Sequence, residues 1–258
     1  AGDGGFSGVI SGSGGLVKAG AGVLTLAGAN SYSGSTAITA GTLKLGASGA
    51  VPGAALVVGA DGTFDLNNFD HTVTDLSGAG AITLGTATLT AGAAGDSEFS
   101  GVISGSGGLV KAGAGVLTLS GANSYSGSTV VTAGTLQTGA AGALSQSALE
   151  VQAGTTFDLN DFDQTVTGLS GAGAITLGTA TLTAGAAGDT SFSGVISGSG
   201  GLVKAGAGVL TLSGVNSYSG STAITAGTLK LGASGAVPGA TLVVGADGTF
   251  DLNNFDHT

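Results

Sequence analysis

Short apolar alternations of the form L-x-L recur along the chain, each bounded by Gly, Ser, Asn or Asp. Those near the start are Leu24/Leu26, Leu43/Leu45, Phe64/Leu66 and Ile82/Leu84, and the spacing between them is nearly even. A period of two is typical of strands with one buried face. No segment has an apolar i, i+3, i+4 stripe with capping residues, so the pattern predicts an all-β fold.

A second track of apolar positions runs between these alternations. Its members are Leu16, Ile38, Leu56, Val73, Leu89 and Leu109. With five members of each track in 93 residues, the spacing averages about 18.6 residues, as expected for a sheet that coils about an axis. Because parallel strands stack at about 4.8 Å, five such coils predict a repeat of about 24 Å and a rod of about 65 Å.

The whole chain is built from a 93-residue sequence repeat. The string FSGVISGSGGLVKAGAGVLTL begins at Phe6, Phe99 and Phe192, with no insertion or deletion between its occurrences. We call residues 1–93 copy 1, residues 94–186 copy 2 and the incomplete residues 187–258 copy 3. A fixed period of this kind is typical of repeat architectures. We therefore expect a single continuous β-solenoid over residues 1–258.

Composition narrows the range of functions. Glycine occupies 54 of 258 positions, which suits tight corners, and the net charge is -10 with only 8% charged residues. The absence of Cys excludes disulfide scaffolds and thiolate zinc sites. An acidic chain with five Lys and Arg residues in all also argues against nucleic acid as a partner. The chain contains no 18-residue apolar run, so we expect no membrane insertion of this segment.

Two segments carry a resemblance to a known family. GGLVKAGAGVLTLSGANSYSGSTVVTAGTL (107–136) resembles the passenger-associated repeat of bacterial autotransporter proteins. FDLNDFDQTVTGLSGAGAITLGTATLT (157–183) is similar to the segment that usually follows it. The resemblance implies a right-handed parallel β-helix that forms the stalk of a secreted passenger, extracellular or at the bacterial cell surface, anchored in the outer membrane or released.

The ends of the chain fall inside repeats. No initiating Met, signal segment, polar cap or membrane barrel is recognisable, so we interpret the chain as a section of a longer array. The alternative is that its ends stack on neighbouring copies as a filament.

The sequence predicts no catalytic, cofactor-binding or metal-binding residue, and no enzyme. Nucleophile-elbow, P-loop and H-E-x-x-H motifs are missing from the sequence. His71 and His257 occupy one repeat position, and copy 2 has Gln164 there. An essential imidazole would not tolerate that exchange.

The most polar cluster is DLNNFD at Asp65–Asp70, which recurs as DLNDFD at Asp158–Asp163 and as DLNNFD at Asp251–Asp256. Its oxygen atoms could bind Ca²⁺, but the calcium-loop Glu and the nonapeptide of calcium-binding β-rolls are missing. The favoured interpretation is a solenoid corner, with Asp and Asn capping the backbone while Leu66 points inward. A pair of carboxylates for glycoside hydrolysis would not be expected to recur in every copy.

Other polar and aromatic positions leave alternatives open. Glu98 and Glu150 are each unique to one copy and are expected at the surface. The threonines could form a flat ice-binding array, or could be ordinary outward strand residues. They are Thr83, Thr86, Thr88 and Thr90. The tyrosines could be exposed rings that stack on carbohydrate, or lids over the coil interior. They are Tyr32, Tyr125 and Tyr218.

Together these observations predict a rigid stalk or extracellular fibre, with end-to-end or lateral assembly of further copies left open. The alternative is an adhesive face that binds glycans or proteins of other cells through motifs repeated at intervals of about 24 Å. An enzyme of the pectate-lyase type is a third, weaker hypothesis, because such enzymes need unique charged residues in a groove.

Overall fold

The computed structural model describes residues 2–239 and 241–256, and the secondary structure within them consists of strands and turns, without a helix. The chain divides into two compact units, Ala1–Gly127 (unit 1) and Ser128–Thr258 (unit 2). Neighbouring strands within each unit pair in parallel, which confirms an all-β, parallel β-solenoid.

The strands of unit 1 are short, apart from two that run through a corner. They are β1 (Gly4–Phe6), β2 (Leu16–Lys18), β3 (Val23–Leu26), β4 (Thr36–Leu45), β5 (Ala55–Asp65), β6 (His71–Val73), β7 (Asp75–Gly78), β8 (Ala81–Thr83), β9 (Leu89–Gly92), β10 (Ser97–Phe99), β11 (Val102–Ser104), β12 (Leu109–Ala112) and β13 (Val116–Leu119).

The strands of unit 2 follow the same plan. They are β14 (Thr129–Val131), β15 (Thr135–Thr138), β16 (Ala148–Val151), β17 (Thr156–Asp158), β18 (Gln164–Val166), β19 (Gly168–Gly171), β20 (Ala174–Thr176), β21 (Leu182–Ala184), β22 (Thr190–Phe192), β23 (Val195–Ser197), β24 (Leu202–Lys204), β25 (Val209–Leu212), β26 (Thr222–Leu231) and β27 (Leu242–Asp251).

Each coil of unit 1 has three faces, defined by which residues pair with one another. On face A, five inward residues stack in successive coils: Leu24, Leu43, Phe64, Ile82 and Ile103. On face B the paired residues are Leu16, Thr36, Leu56 and Leu76, and the face continues through the Gly78–Phe99 and Ser97–Leu117 pairs. On face C they are His71, Leu89 and Leu109.

This register confirms the first apolar track and corrects the second. The L-x-L track is face A. The second track is wrong as a single stack, because Leu56 pairs with Leu76 on face B whereas His71 and Val73 pair with Leu89 and Ala91 on face C. The track changes face at Val73. The count of five coils per repeat therefore becomes about four and two-thirds, and each coil is slightly longer than the sequence spacing suggested.

The core is formed by the inward side chains of all three faces, which stack on one another from coil to coil. Phe64, Phe99, Phe157 and Phe192 are all fully buried, as are most of the inward Leu, Ile and Val side chains around them. Burial of such side chains contributes about 1.5–3 kcal/mol each, which explains how a chain with so few charges holds its fold.

Two equivalent glycines mark a bend that another residue could not make. Gly78 has a φ of 113° and Gly171 a φ of 109°. A Cβ atom at these positions would lie 2.0 Å from the Val58 carbonyl oxygen and 2.1 Å from that of Val151, respectively. Both the backbone angle and the close stacking of coils therefore require glycine at this repeat position.

Candidate functional site

The DLNNFD segment forms a corner whose polar side chains bind backbone amides. The donor–acceptor pairs in copy 1 are Asn67 N to Asp65 Oδ1 (2.8 Å), Thr86 N to Asn68 Oδ1 (2.9 Å) and Thr88 N to Asp70 Oδ1 (2.7 Å). Leu66 lies between these side chains and is fully buried. The predicted capping corner is confirmed.

Copy 2 builds the same corner with the same bonds. The pairs are Asn160 N to Asp158 Oδ1 (3.0 Å), Thr179 N to Asp161 Oδ1 (2.7 Å) and Thr181 N to Asp163 Oδ1 (2.7 Å). In copy 3, Asn253 N donates to Asp251 Oδ1 at 2.9 Å. Each carboxylate in these pairs thus accepts a hydrogen bond from its own backbone donor. Within the described residues, no three His, Asp or Glu side chains converge in a way that could hold a metal ion.

The repeat position shared by His71, Gln164 and His257 is an interior one. His71 is only 6% exposed, and its ring packs edge-on against Phe64 with centroids 5.2 Å apart. Burial lowers the pKa of His71 from 6.5 to about 4. Its Nε2 atom has no hydrogen-bond partner among the residues that the structure describes. His257 lies outside the described residues.

Gln164 occupies the same repeat position but forms hydrogen bonds with the backbone. Its Oε1 accepts a hydrogen bond from Leu144 N at 3.2 Å, and its Nε2 donates to Ala140 O at 2.9 Å. An amide that satisfies the backbone and an imidazole that packs on an aromatic ring are thus interchangeable here. Both side chains contact the coil interior, His71 through the Phe64 ring and Gln164 through backbone hydrogen bonds.

The tyrosines lie inside the coils. Tyr32 is 2% exposed, and Tyr125 and Tyr218 are each 1% exposed. The hydroxyl groups of Tyr32 and Thr36 are 2.6 Å apart, as are those of Tyr218 and Thr222. Burial raises the pKa of Tyr218 to about 12. Of the two interpretations, the lid over the interior is confirmed and the exposed carbohydrate-stacking ring is wrong.

The four threonines do not form one flat array. Thr83 lies on face A, between Asp65 and Ser104. Thr90 lies on face C, between Thr72 and Val110. The backbone amides of Thr86 and Thr88 belong to the capped corner. The ice-binding alternative is therefore wrong for this set of residues.

Glu98 and Glu150 point outward, as expected from the sequence. Glu98 accepts a hydrogen bond from Ser120 Oγ at 3.1 Å, and Glu150 accepts one from Gln152 Nε2 at 3.2 Å. Glu150 also borders a shallow groove in unit 2. Its other polar lining residues are Gln152, Ser170, Ser191 and Ser193.

Sequence reasoning missed a buried lysine in every copy. Lys204 is 1% exposed, and its Nζ donates to the carbonyl oxygens of Ala205 (2.9 Å), Gly206 (2.7 Å) and Ala226 (3.1 Å). Lys18 and Lys111 have the same arrangement. Burial lowers the pKa of Lys111 and Lys204. The signal was available, since each lysine stands two positions after an inward Leu in LVK and therefore points to the same side.

No helix among the described residues is long and apolar enough to span a membrane. The chain is thus a repeat solenoid in which the polar side chains of the corners and the buried lysines form hydrogen bonds with the backbone. The interior tyrosines pair with threonine hydroxyls. Residues 16–45, 109–138 and 202–231 match the family model of the passenger-associated-transport-repeat. These three segments are therefore similar to the repeat of autotransporter passengers, as the resemblance implied, which supports a place outside the cell or at its surface.

A particular relative adds to this assignment. The chain is similar to the adhesin BmaC autotransporter of Brucella suis biovar 1 (strain 1330), with 38% identity over 270 residues. The alignment covers 97% of this chain and 8% of that protein, so the chain spans a small fraction of its relative. No solved structure matches the chain.

Proposed function

We propose that the chain is a stiff, continuous stalk section of a secreted autotransporter passenger, without enzymatic activity. The observation that supports this most is the uninterrupted parallel pairing within each unit, with a fully buried side chain on nearly every inward position. Coils that contact their nearest neighbours can be added without altering the design, so length is set by the number of copies.

The stalk proposal is tested by changing the number of copies. A chain from which one 93-residue copy has been removed in phase keeps every local sequence environment, and it is expected to fold and to shorten by about 22 Å in electron micrographs. A chain that unfolds, or whose length does not change with copy number, would contradict a modular stalk.

A second function, adhesion, is favoured by the relative's description as an adhesin. We propose that the groove beside Glu150 contributes to binding a hydroxyl-rich partner such as a glycan, because it presents a carboxylate, an amide and serine hydroxyls together. Copy 1 has Val57 and copy 3 has Val243 at this repeat position.

The adhesion proposal is tested with beads coated with the chain, on a glycan array and on cultured cells. Binding above that of uncoated beads, reduced by Glu150→Val, is expected. Glu98→Ser, which introduces the copy 3 residue on another outward strand, is the matched control and should leave binding unchanged. Binding that is absent, or that is indifferent to Glu150→Val, would overturn the role of this groove.

End-to-end self-assembly is a further proposal about partners. Parallel backbone pairing stacks each coil on the next in one register. A coil from a second copy of this chain could extend such a stack in the same way. Light scattering should then reveal concentration-dependent association, and a monomer at all concentrations would exclude it.

A further inference from the structure

The outward residues of unit 1 form ladders that reveal which parts of the sequence share a face. On face A the ladder runs through Thr25, Lys44, Asp65, Thr83 and Ser104. On face B it runs through Ala37, Val57, Ser77, Glu98 and Thr118. Thr25 and Thr118 are the same residue of the repeat in copies 1 and 2, yet they stand on different faces.

The number of faces in one copy explains why equivalent residues stand on different faces. Four complete coils separate Thr25 from Ser104, and both residues lie on face A. The rest of the repeat runs from Ser104 past face C, where Val110 lies, and reaches face B at Thr118. A copy therefore spans fourteen faces, which is four coils and two-thirds of a fifth.

Unit 2 contains the same displacement independently. Leu149 pairs with Leu169, and its face continues through the Gly171–Phe192 and Phe192–Leu212 pairs. Its equivalent in copy 3, Leu242, belongs to a different stack. That stack is Gln164, Leu182, Leu202, Thr222 and Leu242.

We infer that the sequence repeat is out of step with the coil by one face, so that successive copies present each surface motif on successive faces. Within each unit, the equivalent motifs of two consecutive copies therefore point in different directions. A flat partner cannot contact both of them along one face.

This geometry changes what kind of partner the surface fits. Repetition at about 24 Å along one face would suit a regular lattice of receptors. Display of equivalent motifs in different directions suits separate partner groups that approach from different sides, such as sparse groups on an opposing cell surface. The statement about partners rests on the proposed adhesive function, whereas the displacement itself rests on the register alone.

The displacement is tested by measuring distances between pairs of spin labels in unit 1. The chain has no Cys, so introduced cysteines are the only labelled sites. The pairs Thr25→Cys/Ser104→Cys and Ala37→Cys/Thr118→Cys are same-face controls, each four coils apart. The pair Thr25→Cys/Thr118→Cys joins equivalent residues of copies 1 and 2.

We expect a backbone separation of about 19 Å for both controls, from four coils at about 4.8 Å each. For the equivalent pair, about 22 Å along the axis and about 11 Å between the centres of adjacent faces combine to a backbone separation of about 25 Å. The outward labels on adjacent faces point about 120° apart and lengthen this to about 30 Å between labels. Five coils with one shared face would instead give parallel labels about 24 Å apart, and that result would overturn the inference.

A second set in unit 2 covers the case in which a labelled variant fails to fold. Gln137→Cys/Ser197→Cys lie on one ladder, three coils apart, and Asp158→Cys/Asp251→Cys are equivalent residues of copies 2 and 3. The first pair should be the shorter, at about 14 Å, and the second again about 30 Å. Loss of adhesion would leave all these distances unchanged, so failure of the proposed function is distinguishable from failure of this inference.

Discussion

The corners of copies 1 and 2 have one backbone and two sets of side chains. Asn67 and Asn160 have φ angles of 48° and 47°, and the next residues, Asn68 and Asp161, have 69° and 67°. The side chains around this backbone differ: His71 is replaced by Gln164, Asn68 by Asp161, and the Lys44–Asp65 ion pair by a Gln137–Asp158 hydrogen bond. The comparison indicates that backbone capping and inward volume specify the corner, while charge does not.

The largest loss of stability is expected at the buried lysine, a position at which the copies do not differ. Lys204→Met removes the donor to three carbonyl oxygens and should lower the free energy of unfolding by about 4 kcal/mol, because unsatisfied buried acceptors cost roughly 1–3 kcal/mol each. Denaturant unfolding followed by circular dichroism measures this. Lys230→Met is the matched control, since Lys230 forms only a partly exposed ion pair with Asp251 at 3.8 Å and should cost less than about 1 kcal/mol. Equal losses for the two variants would contradict the structural role of the buried ammonium.

The second largest effect is the loss of stability of copy 1 at low pH, which we assign to His71. The folded-state pKa of His71 is about 4, below the unfolded value of 6.5, so the unfolded chain binds the proton more readily. The stability contributed by the neutral imidazole is complete above pH 6.5 and is lost as the pH falls to about 4, by about 3 kcal/mol in total.

His71→Gln introduces the copy 2 residue and should remove this component of the pH dependence. Stability measured from pH 7 to pH 4 should fall less in the variant than in the parent chain. Gln164→His is the reciprocal test and should add acid sensitivity to copy 2. Parallel pH profiles for all three chains would show that the position is not a buried titrating site.

A smaller effect is expected at the capping residue. Asn68→Ala loses the hydrogen bond to Thr86 N and places a non-glycine, non-asparagine residue at positive φ, which should cost about 1–2 kcal/mol. Asn68→Asp imports the copy 2 side chain and should be nearly neutral. Thermal melting of the two variants compares them directly, and an Asp variant as unstable as the Ala variant would break the equivalence of the two corners.

The smallest effect is expected at the outward pair. Lys44 and Asp65 are 3.4 Å apart on the surface, and copy 2 places Gln137 and Asp158 at 2.8 Å. Lys44→Gln should change stability by less than about 0.5 kcal/mol and should reduce its dependence on salt. Melting at low and high ionic strength tests this. A loss of more than about 1 kcal/mol would assign the ion pair a role that its exposure does not support.

Most of the fold could be predicted from the sequence, because period-two alternation encodes which side of a strand faces inward. The stack from Leu24 to Ile82 follows from this alternation, and the capped corner at Asp65–Asp70 follows from its cluster of Asp and Asn. The alternation does not encode which of three faces a strand occupies, and so Leu56 and Val73 were placed in one stack. Lys204 was overlooked because a charged side chain is ordinarily outward, and only the ring of carbonyl oxygens around it makes burial favourable.

Disulfide trapping within unit 1 tests the stacking of coils most directly. Glu98 and Thr118 are register partners on face B, whereas Val110, closer to Glu98 in sequence, lies on face C beside Thr90. The account predicts that Glu98→Cys/Thr118→Cys forms a disulfide readily in the folded chain and that Glu98→Cys/Val110→Cys does not. Ready crosslinking of the Glu98–Val110 pair, with none between Glu98 and Thr118, would contradict the three-sided coil.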